Sequence, residues 1–246
     1  MDNLHTYILR LCPNPWETFL VLLVVVLATS FALQVIGKFF FTSQGKRFSI
    51  LDLQLVAYDD EIEELFEKMS SRDGKQSPSV SRAERLLRLH LVINFAFLVA
   101  IYPLIALMCY KASIGVNPVL SAVLIVLGVS QVLPMVIDIF ENVSLLLISR
   151  RHSAMTGNAG WFGLYRWAVL IKWALALLAV SISIPMMLYH WGSGIYRPQS
   201  LEHLQVVIAM LTFYAVAATA IGFFLNRVVK PEKPAVLART QVTTDA

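Results

Sequence analysis

Three polar side chains that could do chemistry stand close together in an otherwise apolar part of the chain. Asp138, Glu141 and Asn142 have the i, i+3 and i+4 spacing that places side chains on one face of a helix. Lys172 is the only charged residue of the next apolar stretch. Carboxylates and an amine removed from water can relay protons or ions, hold a polar headgroup, or act as acid and base. They can equally form an ion pair that fixes helix packing.

The depth of these residues follows from the basic residues that close each apolar stretch. Glu141 precedes Arg150 by nine residues and Lys172 follows Arg166 by six, so helical rise places them about 13 Å and about 9 Å from the same boundary. Asp138 lies deeper, about 18 Å from it. Consecutive spans run antiparallel, so Lys172 can meet Glu141 or Asp138. We therefore predict an intramembrane polar cluster made of Asn94, Asp138, Glu141, Asn142 and Lys172.

The charge balance of this cluster leaves two interpretations open. One lysine neutralises only one of two carboxylates, so the second carboxyl group either is protonated or reaches cytoplasmic water. In the structural interpretation, ion pairs and hydrogen bonds within the cluster set helix packing. In the functional interpretation, the cluster relays a proton or ion, binds a polar headgroup or forms a catalytic centre.

The elements that would position the cluster are membrane-spanning helices. Hydrophobic residues make up 57% of the 246 residues and charged residues 15%, against about 45–50% and about 25% in soluble domains. This composition excludes a disordered chain and an ordinary soluble enzyme. A span needs ~20 apolar residues, and five stretches meet that length: about 16–37, 89–110, 118–148, 167–190 and 204–226.

The fold class follows from these five stretches. Backbone polar groups in lipid must bond within their own segment, which leaves the helix as the only open-chain solution. We predict an all-α integral membrane bundle of five transmembrane helices, forming a single domain over residues 1–230. The third stretch would rise about 46 Å, beyond the hydrocarbon thickness of about 30 Å, and we predict a bend at Pro134, which lacks a backbone donor.

The distribution of basic residues predicts the orientation of the bundle. Sixteen Lys and Arg residues fall in segments on one side of the five spans, three fall on the other side, and Lys172 lies within a span. Because basic residues accumulate on the cytoplasmic side, we predict an N-out/C-in arrangement. The surplus of positive charge therefore reports orientation, and we expect a lipid bilayer as partner and no nucleic acid.

The polar segment 42–88 on the cytoplasmic side is predicted to contain a short amphipathic helix from about Asp60 to Ser71. Asp60 and Glu63 have the spacing of a capping box, and acidic residues favour a helix N-terminus. One apolar face follows at helical spacing: Ile62, Leu65, Phe66 and Met69.

This apolar face has two interpretations: it packs on the ends of the bundle, or it docks a partner protein within segment 48–71. The sequence from Ser70 to Ser81 has no apolar period and is predicted to be a flexible linker, and residues 231–246 are predicted to form a disordered tail.

Sequence motifs for nucleotide, dinucleotide or serine-hydrolase chemistry do not occur in the chain, and the five histidines do not form a zinc-protease motif. We therefore expect no cofactor and no metal. Cys12 and Cys109 both fall near the predicted outer face, where they either form a disulfide or remain two thiols.

Several short strings together resemble a pattern found in uncharacterised multi-pass membrane proteins. They are Tyr58–Glu67, Ile101–Leu104, Asp138–Asn142 and Lys172–Trp173, and the resemblance covers about Ile50–Ala179. Those proteins have a short helix after the first span and an acidic-Glu-Asn string in the third. The resemblance implies a helical bundle with the same polar residues and implies no activity. This chain departs from the pattern by its Ser-rich linker and its fifth span.

The function that these features favour is that of a non-catalytic integral membrane protein acting as a structural or interaction component. A small ion-coupled transporter using Asp138, Glu141 and Lys172 is the main alternative, and an intramembrane lipid-directed enzyme is a further one. A transporter needs a water-filled path to the polar cluster and an enzyme needs an opening toward lipid at that depth. A structural role needs a packed and satisfied cluster. Sequence leaves the identity of the membrane and the oligomeric state undetermined.

The orientation makes a labelling prediction. Single cysteines introduced at Ser77 and Ser193, in a chain whose native cysteines are replaced, should react with an impermeant maleimide from opposite sides of sealed vesicles. Labelling of both positions from one side would contradict the five-span arrangement.

Overall fold

The computed structural model describes residues 14–39, 78–151, 159–196 and 199–228, and every regular element among them is an α-helix. The helices are α1 (Pro15–Gly37), α2 (Pro78–Ala112), α3 (Pro118–Ser130), α4 (Val132–Arg151), α5 (Ala159–Gly192) and α6 (Gln199–Val228). Five segments are long and apolar enough to cross a membrane: Pro15–Gly37, Arg85–Ala112, Pro118–Ser144, Trp167–Gly192 and Glu202–Val228. Over the residues that the structure describes, the prediction of an all-α fold with five apolar spans is confirmed.

Helix α2 is the centre of the bundle, because it packs against α1, α3, α4 and α5. Helix α6 lies at the edge and packs chiefly on α1. The main core joins α1, α2, α3, α5 and α6 through apolar side chains that include Phe19, Leu23, Leu104, Leu124, Met187 and Val207. The polar cluster lies on another side of α2, where α4 and α5 pack.

Large apolar side chains lie on the outside of the bundle as well as in its core. Val119 on α3 and Phe213 on α6 are each about three-quarters exposed, at 75% and 76%. Apolar residues at successive turns of the same helices are exposed too, including Val123, Val126, Val216 and Phe223. Soluble monomers rarely expose apolar patches of this extent, so the surface fits contact with lipid.

Helices α3 and α4 are the two halves of the long third apolar stretch, and the chain is interrupted between them at Gln131. Pro134 has no N–H to donate to the carbonyl group of Ser130, which removes a helical hydrogen bond at this place. The buried Gln131 amide donates instead to the carbonyl oxygens of Leu127, at 3.1 Å, and Leu175 on α5, at 3.4 Å. The backbone of Gln131 stays in the right-handed helical region, with φ −64° and ψ −14°, so the bend at Pro134 stays a prediction.

The connection between α2 and α3 is a tight turn with defined capping. Gly115 has φ +76°, and a Cβ there would approach Ile195 Cγ2 to 2.8 Å, so both conformation and space require glycine. Asn117 caps α3 by accepting a hydrogen bond from the Leu120 N–H at 2.9 Å, and Pro118 occupies the first turn. These residues return the chain antiparallel to α2.

One boundary differs from the sequence prediction. Helix α2 begins at Pro78, so the last residues of the predicted Ser70–Ser81 linker are helical, and that boundary was wrong. Proline suits the first turn of a helix, because its missing N–H has no acceptor there. Helix α5 begins at Ala159, and its apolar span begins at Trp167, as predicted. The predicted amphipathic helix and the tail 231–246 lie outside the described residues.

The packing of α3 on α2 makes a stability prediction at Gly128. A Cβ at this position would lie 3.2 Å from both the Ala106 carbonyl oxygen and Cys109 Cβ. Gly128→Val should therefore push the helices apart and lower the unfolding free energy in detergent by about 1–3 kcal/mol. Gly192→Val is the matched control, because a Cβ there meets nothing within 4 Å. Equal thermal stability of the two variants would contradict the close approach.

Candidate functional site: a buried ion cluster

Helix α4 carries the acidic half of a buried cluster on a single face. Asp138, Glu141 and Asn142 are all buried, and Glu141 and Asn142 are each only 1% exposed. Pro134 and Gln131 precede them on the same buried face, one and two turns earlier than Asp138. The i, i+3 and i+4 spacing predicted from the sequence thus places the three polar side chains toward the interior of the bundle.

Helix α5 supplies the positive charge. Lys172 is 2% exposed, and its Nζ atom lies 2.5 Å from Asp138 Oδ1 and 2.7 Å from Glu141 Oε2. The sequence suggested Glu141 or Asp138 as the partner of Lys172, and the structure brings both carboxylates to the same amine. Each carboxylate accepts a charge-assisted hydrogen bond from Lys172.

Helix α2 adds a residue that sequence reasoning missed. The Tyr102 hydroxyl group donates a hydrogen bond to Asp138 Oδ2, so Asp138 is held between a tyrosine and a lysine. Asn94 and Tyr102 are eight residues apart, a rise of about 12 Å along α2, whereas their partners Asn142 and Asp138 are only about 6 Å apart along α4. Helical side chains lean toward the N-terminus of their helix, so the long Tyr102 side chain leans toward Asn94 and its hydroxyl group reaches Asp138 in spite of the different spacing.

A second contact between α2 and α4 lies one turn away from the lysine. The Asn94 side-chain amide donates to Asn142 Oδ1 at 3.0 Å. The Asn142 Nδ2 atom is buried and has no hydrogen-bond partner among the described residues. All five residues of the predicted cluster therefore lie at the junction of α2, α4 and α5, together with Tyr102.

The electrostatics of this junction decide what it can do. Moving a charged side chain to the middle of a span costs about 2.5–3.5 kcal/mol on insertion scales, which makes an isolated buried charge unfavourable. Lys172 offsets this cost for two carboxylates at once, and Tyr102 supplies a further donor to Asp138. The cluster can therefore hold three helices in one register. It can also hold a proton, because two carboxylates face one amine.

A second polar assembly lies at the opposite end of the bundle. Lys111 is buried, and its Nζ atom lies 3.6 Å from the centroid of the Trp16 ring, a cation–π contact. Trp191 and His203 stack on Trp16, and Tyr196 meets it edge-on. The contact of Lys111 with Trp16 depends on where α1 packs, so it could not be predicted from the amino-acid sequence.

Hydrogen bonds close this assembly around the end of α2. The Tyr196 hydroxyl group donates to the Lys111 carbonyl oxygen at 2.8 Å, and burial raises the pKa of Tyr196, which keeps the hydroxyl protonated. His190 Nε2 lies 3.0 Å from the Ala112 carbonyl oxygen. His190 and His203 therefore take part in aromatic packing. No group of three or more metal-ligating side chains occurs among the residues that the structure describes.

Several predicted features fall outside the described residues. They include the interaction face of Ile62, Leu65, Phe66 and Met69 and the cysteine Cys12, so the choice between a disulfide and two thiols stays open. Cys109 on α2 is buried against α3 and α5 and has no cysteine partner among the described residues.

The helices and their buried charges together define a class of protein: a multi-pass helical bundle with buried ion pairs and an apolar exterior. Searches for a more particular relative gave no match among protein-family models, curated proteins or solved structures. The resemblance to uncharacterised multi-pass membrane proteins therefore stays a prediction from sequence.

The cluster makes a prediction for a mutant cycle. Lys172→Met should destabilise the protein by about 3–5 kcal/mol, because it leaves buried carboxylates without their cation. Adding Glu141→Gln and Asp138→Asn to Lys172→Met should recover much of this loss, since no unpaired charge remains. The measurement is unfolding in detergent, with the exposed Arg227→Met as a control for loss of a positive charge. Independent, additive effects of the three changes would contradict the ionic contact.

Proposed function

We propose that this protein is a non-catalytic, multi-pass integral membrane component whose buried ion cluster serves to hold α2, α4 and α5 together. The observation that carries the proposal is the enclosure of Lys172: its amine contacts Asp138 and Glu141 within hydrogen-bond distance, and all three side chains are buried. Groups that relay ions must exchange partners with water or substrate, whereas groups that fix packing need only each other.

The position of the cavity in the bundle supports the same proposal. A cavity of about 450 Å³ lies between α1 and α6 and reaches His90 on α2. None of Tyr102, Asp138, Glu141 and Lys172 is among its lining residues. The cluster is thus separate from this cavity.

In this proposal, the surfaces of the bundle make the interactions with other molecules. We propose the N-out/C-in orientation, which sets the basic ends of the spans and segment 42–88 on the cytoplasmic side. The apolar face of Ile62, Leu65, Phe66 and Met69 supports a protein-docking role for segment 48–71, with packing on the bundle as the alternative.

A proton-coupled carrier is the second candidate function, and one observation favours it. Two carboxylates share one lysine, so the cluster has an excess negative charge unless it also holds a proton. A buried group that binds and releases a proton is what such a carrier requires.

The test separates the two functions with one variant. The triple change Asp138→Asn, Glu141→Gln and Lys172→Met removes every ionisable group at the Lys172 contacts while nearly keeping side-chain volume. Cells that lack the native protein and express this variant should behave as wild type if the cluster is structural. A variant that reaches the membrane, keeps its thermal transition and yet fails to complement would favour the carrier and contradict the structural role.

A matched control keeps this comparison interpretable. Lys172→Met alone should fail through loss of folded protein, which membrane abundance and detergent extraction measure directly. Rescue of abundance together with cellular activity in the triple variant is the expected result. Proton uptake by proteoliposomes, followed with an internal pH dye, should not differ between wild type and the triple variant.

A further inference from the structure

The cavity between α1 and α6 has an amphipathic lining. Apolar walls come from Phe31, Leu33, Val35, Ile221 and Leu225, while Gly37, Ala218 and Gly222 leave open space. A Cβ placed on Gly37 or Gly222 would meet nothing within 4 Å. The volume of about 450 Å³ lies within the range of about 300–1,000 Å³ that small-molecule sites occupy.

Polar residues of α1 form a stripe along one wall of this cavity. Ser30, Gln34 and Lys38 recur every four residues, so they lie on one helical face. Tyr214 on α6 hydrogen-bonds to both Ser30 and Gln34, each at 2.8 Å. These bonds join α1 to α6 beside the cavity, and Lys38 at the end of α1 supplies a positive charge to its lining.

We propose that this cavity is a binding site for one anionic phospholipid, with an acyl chain between α1 and α6 and the phosphate at Lys38. The lining supports an amphiphile, because apolar walls continue to the end of two apolar helices and a cation stands where α1 ends. Lysine near a membrane boundary attracts anionic headgroups, and its long stem lets the amine reach the interface.

The charge of the ligand follows from the same residues. Among the described residues that line the cavity, Lys38 is the charged side chain and none is a carboxylate. A phosphate group without a compensating headgroup cation, as in phosphatidylglycerol, is therefore favoured over a zwitterionic headgroup. This site is separate from the buried ion cluster and does not rest on the proposed function.

The experiment measures lipid retained by the full-length protein. Purified protein is equilibrated with phosphatidylglycerol and phosphatidylcholine of identical acyl chains, and bound lipid is counted by native mass spectrometry. Wild type should prefer phosphatidylglycerol, and Lys38→Gln should reduce that preference about fivefold while leaving phosphatidylcholine binding unchanged. Gly222→Leu should reduce binding of both lipids, because its side chain fills the open space.

Matched variants keep the result interpretable. Gly192→Leu adds the same side chain at a helix end where a Cβ also meets nothing within 4 Å, and lipid binding should be unchanged. Thermal transitions of all variants must match wild type, and Gly222→Ala serves as a smaller filling change if Gly222→Leu lowers stability. Equal retention of both lipids by wild type, or unchanged retention by the Gly222 variants, would overturn the proposal. Occupation of the cavity by segment 48–71 in place of lipid would also overturn the proposal.

Discussion

A lysine enclosed between two carboxylates, away from water, is the contact on which the arrangement of this bundle depends. Apolar helices in lipid gain little by choosing one neighbour or one register over another, because lipid tails are as apolar as their own side chains. The pairing of Lys172 with Asp138 and Glu141 removes that freedom. A slip of α5 by one turn would move the amine about 5.4 Å and leave charges buried without partners. Tyr102 extends the same constraint to α2.

The interruption between α3 and α4 acts on the same helices. The Gln131 amide donates to the Leu175 carbonyl oxygen on α5, three residues beyond Lys172. The break at the proline and the ion cluster therefore join α4 to α5 at two successive levels. Both halves of the long third apolar stretch, α3 and α4, pack against α2 and α5.

Hydropathy was sufficient to predict the five apolar spans, and charge singled out residues that the structure places in contact. Charged residues in apolar stretches are few, and their depth follows from helical rise, so Glu141 and Lys172 could be paired from the amino-acid sequence alone. Tyr102 could not be predicted, because a tyrosine in a span usually has a packing role, and its contact depends on how far its side chain reaches across to α4. Lys111 was missed for the same reason: only the packing of α1 brings Trp16 over its amine.

The distribution of polar contacts divides the bundle into a fixed part and a part that can separate at lower cost. Helices α4 and α5 share buried charges, and pulling them apart would expose those charges to lipid. Helix α2 is tied to them by the hydrogen bond from Tyr102 to Asp138. Helix α6 packs chiefly on α1, where the hydrogen bonds of Tyr214 to Ser30 and Gln34 reinforce the contact. Neutral hydrogen bonds contribute about 0.5–1.5 kcal/mol each, much less than a buried ion pair costs to break. The α1–α6 contact is therefore held by weaker polar interactions than the α4–α5 contact.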